Sequence, residues 1–262
     1  MTPHFCTYNG KKIRYYTEGA GPVVVLLHGF LESSFIWHYF SKQLSQRFKI
    51  ISIDLPGHGS TDVFSEVHTM PLMADVVVAV LKQEKEKKAK VLGHSMGGYA
   101  ALSFAERYAD YCEGIGLINS TAFPDTEEKK ADRLRAIRVL EMSPAVFIRE
   151  AIPNLFAPFN VERFSEEIEM IRTEALKTSV YGTSACLRGM KDREDKTGLI
   201  RSGKFPVLFI AGKYDNVIAA NLSVEQMELH PSVSGLLLEN SGHMCFLEER
   251  EKTLEAIREF VG

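Results

Sequence analysis

Four apolar runs in this chain end in a side chain capable of chemistry. They lead to His28 in His28-Gly29-Phe30, Ser95 in Gly93-His94-Ser95-Met96-Gly97-Gly98, Asp215 in Gly212-Lys213-Tyr214-Asp215, and His243 in Gly242-His243-Met244. A serine hydroxyl is a weak nucleophile until a base takes its proton. Imidazole does this well when an acid holds its other nitrogen in the right tautomer. The chain supplies all three parts, in the order serine, acid, histidine. The pattern Gly-x-Ser-x-Gly is common by itself. Here it lies between an apolar run ending at Leu92 and a helix-compatible stretch, 99–105. A strand, a sharp turn and a helix are the setting of a nucleophile elbow. Gly93 and Gly97 have no Cβ, so strand and helix can pass close together. A helix starting at Met96 points free N–H groups and a partial positive charge toward the serine. An anion forming on a substrate carbonyl would be stabilised there.

The elements that must position these residues are legible from periodicity. Asn9-Gly10 between 5–8 and 12–16 is a hairpin signal. The run 23–27 is apolar throughout, as in a strand buried on both faces. Ser33 or Ser34 can cap a helix with Trp37, Phe40 and Leu44 on one face. Strands are expected at 50–53, up to Leu92, and at 114–118, 205–210 and 233–239, and helices at 72–81 and after Ser95. A closing helix carries the stripe Leu247, Leu254, Ile257 and Val261. From about 123 to 195 the pattern is helical and charged, with no strand. Asp125 and Glu128 read as a capping pair, followed by the stripe Ala131, Leu134, Ile137. Ser143-Pro144 and Ser165-Glu166-Glu167 start helices, Pro153 stops one, and Ile168, Ile171 and Ala175 face inward. A last helix falls within 179–191. Alternating strands and helices predict an α/β fold with a mostly parallel, doubly wound sheet. Residues 1–122 and 196–262 form its core. Residues 123–195 read as an inserted helical cap over the carboxyl edge of the sheet, where such folds bind ligands.

Composition narrows the function. The chain has 262 residues, 45% hydrophobic and 25% charged, as in an ordinary globular protein. A net charge of −3 gives no electrostatic basis for a nucleic-acid or anionic-membrane partner. No apolar run has the length of a membrane span, and the N-terminus lacks the pattern of a signal peptide. Cys6, Cys112, Cys186 and Cys245 are scattered, without metal spacing. They read as reduced thiols of a cytoplasmic protein.

Over essentially its whole length the sequence resembles the α/β-hydrolase superfamily, in particular its small esterase-like and haloperoxidase-like branch. The motifs above carry the resemblance, together with Asp54-Leu55-Pro56-Gly57-His58-Gly59. It implies Ser95 as nucleophile, His243 as base, Asp215 as orienting acid, and the backbone N–H groups of Phe30 and Met96 as oxyanion hole. The family sometimes draws its acid from the strand after the elbow. Asn119 stands near that position and is no acid, which leaves Asp215. Asp54 precedes the serine and reads as a turn residue; His28 reads as orienting its loop, and His58 and His94 as structural. Relatives that open epoxides or remove halides carry aspartate at the nucleophile position, so Ser95 points to esters, thioesters, lactones or amides. Carbon–carbon hydrolysis, perhydrolysis, a menaquinone-synthase-like elimination and a slow-turnover receptor use the same fold and triad and remain open alternatives. The synthase pattern has a basic residue shortly after the nucleophile, where this chain has Tyr99. No metal and no organic cofactor is implied. The expected partner is a small-molecule ester with an apolar acyl part. Phe30, Trp37, Met96 and Met244 could wall its pocket, and core packing explains Trp37 equally well.

Overall fold

The computed structural model describes residues 2–262. Strands β1 (Thr2–Tyr8) and β2 (Lys11–Glu18) form an antiparallel hairpin. Its turn residues Asn9 and Gly10 have φ of 50° and 73°, the left-handed pair that matches strand twist in a two-residue loop. Strands β3 (Val23–Leu27), β4 (Lys49–Ile53), β5 (Ala89–His94), β6 (Cys112–Ile118), β7 (Val207–Gly212) and β8 (Val233–Leu238) complete an eight-stranded sheet in the order β1-β2-β4-β3-β5-β6-β7-β8. β2 meets β4 antiparallel, and every pair from β4 to β8 is parallel. β4 and β5 flank β3 on opposite sides. The chain therefore reverses its direction of winding at β3, and a crevice opens at the strand carboxyl ends.

Both sheet faces are covered, which is why the central strands are apolar without alternation. Val25, Leu27, Val91 and Leu117 pack on one side with helices α2 (Met70–Gln83) and α3 (Met96–Arg107). Val24, Leu26, Leu92 and Ile210 pack on the other with helix α1 (His38–Leu44) and the C-terminal helix.

Residues 119–206 contain no strand. Helices α4 (Glu127–Met142), α5 (Pro144–Ala151), α6 (Ser165–Ala175), α7 (Val180–Lys191) and α8 (Thr197–Arg201) fill this interval. Ile168, Ile171 and Ala175 of α6 are buried as their spacing required. The start of α4 differs from expectation. Thr126, not Asp125, is its N-cap, and its hydroxyl accepts from Lys129 N at 3.2 Å. Asp125 is buried against Arg133 and Arg193 instead. The inward face is correspondingly rotated: Ile137 and Leu140 are buried and Leu134 is 45% exposed. Ser33 makes no capping bond either; its hydroxyl donates to Glu174, and α1 begins only at His38. Helix α9 (Ala220–Met227) escaped the sequence pattern because its buried residues, Ser223 and Gln226, are polar. The closing helix is two pieces, α10 (Cys245–Glu248) and α11 (Arg250–Val261). Among the described residues no helix is long and apolar enough to cross a membrane.

β5 and α3 nearly touch at the turn between them. A Cβ on Gly93 would lie 2.1 Å from the Gly97 carbonyl carbon, and one on Gly97 would lie 2.5 Å from the Leu27 oxygen. Backbone cannot yield as a side chain does. Gly93→Ala is therefore expected to destabilise the fold by about 3 kcal/mol or more. A urea melt showing wild-type stability would show that the turn can relax.

Candidate active site

The turn from β5 into α3 holds Ser95 at φ 49° and ψ −113°, a region that non-glycine residues rarely enter and that costs about 1–3 kcal/mol. The end of β6 restrains it. Ser95 N donates to the Ile118 carbonyl at 3.0 Å, and Ser120 Oγ donates to the Ser95 carbonyl at 2.8 Å. Ser95 stays 9% exposed.

After β7 the chain turns and buries the Asp215 carboxylate. Its Oδ1 accepts from the N–H groups of Val217 (2.8 Å) and Ile218 (2.9 Å). Its Oδ2 accepts from Asn119 Nδ2 (2.9 Å) and pairs with His243 Nδ1 at 2.8 Å. Burial alone would raise the carboxyl's pKa. The neighbouring imidazole and the three donors outweigh burial and hold it below its ordinary value. Asp215 is thus an anion facing Nδ1, which must carry the hydrogen. In the neutral ring Nε2 then has a free lone pair. Asn119, at the strand end where the acid might have stood, donates to Asp215 and to the Gly242 carbonyl. It takes φ 44° to do so.

The loop after β3 is gripped by histidines in two different states. His28 Nδ1 donates to the Gly29 carbonyl at 2.7 Å and Nε2 accepts from Leu55 N at 2.9 Å. His58 Nε2 accepts from Leu31 N at 3.2 Å. Accepting at Nε2 requires neutral rings, and burial lowers the pKa of both. Glu32 accepts from Gly29 N at 2.5 Å. The amides on either side of Phe30 are therefore consumed. Among the described residues neither Phe30 N nor Met96 N has a protein acceptor.

His94 differs. Its Nδ1 lies 3.0 Å from Glu32 Oε2 and its Nε2 lies 2.9 Å from the carbonyl of His243. Both partners are acceptors, so both nitrogens must donate and the ring is an imidazolium. Burial opposes this charge, and Glu32 overrides it, raising the His94 pKa. Burial likewise opposes the Glu32 anion, and His94 lowers its pKa. Glu32 carried no sequence signal. Its place four residues after His28 acquires meaning only from the fold.

Ser95 and His243 line one cavity of about 230 Å³. Phe30 is on its wall with Phe147, Ile152, Leu155, Leu187 and Met190. Trp37 and Met244 are not. Trp37 is fully buried, with its ring 5.5 Å from Phe246 and 5.6 Å from Phe40, and Met244 is buried in the same core. The expectation that they wall the pocket is corrected: both are fully buried in the core, where Trp37 packs against Phe40 and Phe246 and neither side chain reaches the cavity. Another cavity, of about 540 Å³, lies between α1, α6 and Phe246 and holds neither Ser95 nor His243.

The model of the alpha/beta hydrolase fold family matches residues 22–136. A malate-bound structure of a thermophilic esterase from Thermogutta terrifontis superposes with a TM-score of 0.92 at 30% identity, covering 100% of this chain and 98% of that one. The chain belongs to the α/β-hydrolase superfamily. A pimeloyl-[acyl-carrier protein] methyl ester esterase of Aeromonas hydrophila is 25% identical over 93% of this chain and 97% of its own. A Bacillus subtilis protein named as a candidate 2-succinyl-6-hydroxy-2,4-cyclohexadiene-1-carboxylate synthase is 27% identical over 95% of both. Among such full-length relatives the chain is an enzyme of the hydrolase class.

Glu32→Gln is expected to remove the counter-charge of His94 and destabilise the fold by about 3 kcal/mol. The His94 contribution is complete below the ordinary value of 6.5 and is lost as pH rises through its raised pKa. The Glu32 contribution is complete above 4.5 and is lost as pH falls through its depressed pKa. Urea melts of wild type and variant should therefore differ most between pH 4.5 and 6.5. A difference independent of pH would show that the pair is uncharged.

Proposed function

We propose that this protein is a serine hydrolase that cleaves a small carboxylic ester, thioester or lactone through an acyl enzyme on Ser95. The observation that carries this reading is the Asp215–His243 pair, with His243 sharing a cavity with Ser95. His243 Nε2 takes the Ser95 proton as Oγ attacks the carbonyl carbon. The oxyanion of the tetrahedral intermediate is received by the N–H groups of Phe30 and Met96, the two amides left without protein acceptors. His243 then protonates the leaving alkoxide, activates a water, and deacylation returns Ser95. This chemistry calls for no metal and no cofactor. The esterases among the relatives support it. Residues 123–195 act as a cap on a core formed by 1–122 and 196–262, contributing Phe147, Ile152, Leu155, Leu187 and Met190 to an apolar acyl pocket. The volume of about 230 Å³ suits a short acyl chain. Four buried free thiols suit a reducing, cytoplasmic setting.

The candidate synthase from Bacillus subtilis favours a second reading, in which His243 abstracts a proton to start an elimination. Assay with p-nitrophenyl esters of increasing acyl length separates the two. Wild type should turn over the short esters. Ser95→Ala should abolish turnover with little change in melting temperature, since the substitution removes a single oxygen atom. Asp215→Asn should lower kcat by about 10⁴. A folded wild type that takes a fluorophosphonate on Ser95 yet hydrolyses no ester supports the elimination. Failure to take the adduct refutes the nucleophile.

A further inference from the structure

We infer that the substrate carries a second, anionic group, a carboxylate, which Lys129 and Arg133 receive while Ser95 attacks the ester; this rests on the esterase reading above. Helix α4 turns Lys129, Asp132, Arg133 and Ala136 toward the cavity of Ser95 and His243. The spacing is that of one helix face. The rest of this wall is mostly apolar, so charges there are conspicuous.

The anions within reach are already engaged. Glu32 is matched by His94. Asp132 pairs with Arg135, an exposed residue that does not line the cavity. Asp125 is shared by two guanidiniums: Arg133 donates through Nε to Oδ2 and through Nη2 to Oδ1, and Arg193 Nη1 lies 2.5 Å from the same Oδ1. The third donor group of Arg133, Nη1, lies 3.6 Å from the Met190 thioether, a weak acceptor, and the Tyr99 phenol is the other neutral group near this guanidinium. Lys129 has no carboxylate partner among the described residues. Its Nζ approaches only the Val217 carbonyl, at 3.4 Å, beyond the usual range for such a bond. It also stands in the first turn of α4, where the helix dipole disfavours a cation. The ammonium of half-buried Lys129 and an underused guanidinium edge thus face a partly open, largely apolar space that also holds the nucleophile. Incomplete pairing of the largely buried Arg133 guanidinium is unfavourable, and a bound carboxylate would complete both groups. The cavity volume of about 230 Å³ keeps anion and ester close. The substrate class is then a short monoester of a dicarboxylic acid, or a lactone bearing a carboxylate.

The test reads binding apart from turnover. Glutarate is titrated calorimetrically into wild type, Ser95→Ala, Lys129→Met and Lys129→Arg. Wild type and Ser95→Ala should bind alike, Lys129→Met should bind about tenfold or more weakly, and Lys129→Arg should recover most of the loss. In turnover, wild type should prefer monomethyl glutarate to methyl hexanoate in kcat/KM. Lys129→Met should cut that ratio about tenfold, chiefly through KM. Absence of saturable glutarate binding to wild type, or equal binding by Lys129→Met, overturns the anion site. A lost fluorophosphonate adduct on Ser95 strikes instead at the esterase reading, so the two failures are distinct.

Discussion

The hydrogen bond between the Asp215 carboxylate and His243 Nδ1 is the interaction on which the site depends. A carboxylate in a buried position is unfavourable unless its lone pairs are met. Here two backbone N–H groups, the Asn119 amide and the imidazole meet them. The anion survives burial, and it fixes the imidazole tautomer. Asn119 adopts a left-handed backbone to reach it, so strain at the end of β6 is spent on ordering a side chain at the end of β7.

A second buried pair ties the rest together. Glu32 binds the Gly29 amide and the His94 ring, and His94 binds the carbonyl of His243. One carboxylate thereby links the loop after β3, the residue before Ser95 and the backbone of His243. Three buried histidines near one another hold different protonation states because their partners differ. His28 and His58 accept from backbone amides and are neutral, whereas His94 donates twice and is charged. Removing one member of such a network leaves the others unsatisfied, which makes it rigid.

The helices between β6 and β7 contribute in another way. They add Phe147, Ile152, Leu155, Leu187 and Met190, with Lys129 and Arg133, to the wall of the cavity that holds Ser95 and His243.

The sequence alone determined the sheet and the places where it ends. Buried parallel strands must be apolar on both faces, and the turns after them need glycine or a short polar residue, so both signals are local. Ser95, Asp215 and His243 were legible for that reason: each ends such a run, and the fold brings all three to one edge. Tertiary structure decided what periodicity cannot encode, namely which surface a buried residue meets. Trp37 and Met244 were recognisably apolar, but the side of the sheet they fill follows from packing. Asp125 read as a cap, and two arginines distant in sequence claimed it. Glu32 and His94, 62 residues apart, are an ion pair only because β3 and β5 are neighbours in the sheet. The charge of His94 follows from that adjacency, since burial disfavours it and Glu32 is the main group that opposes burial.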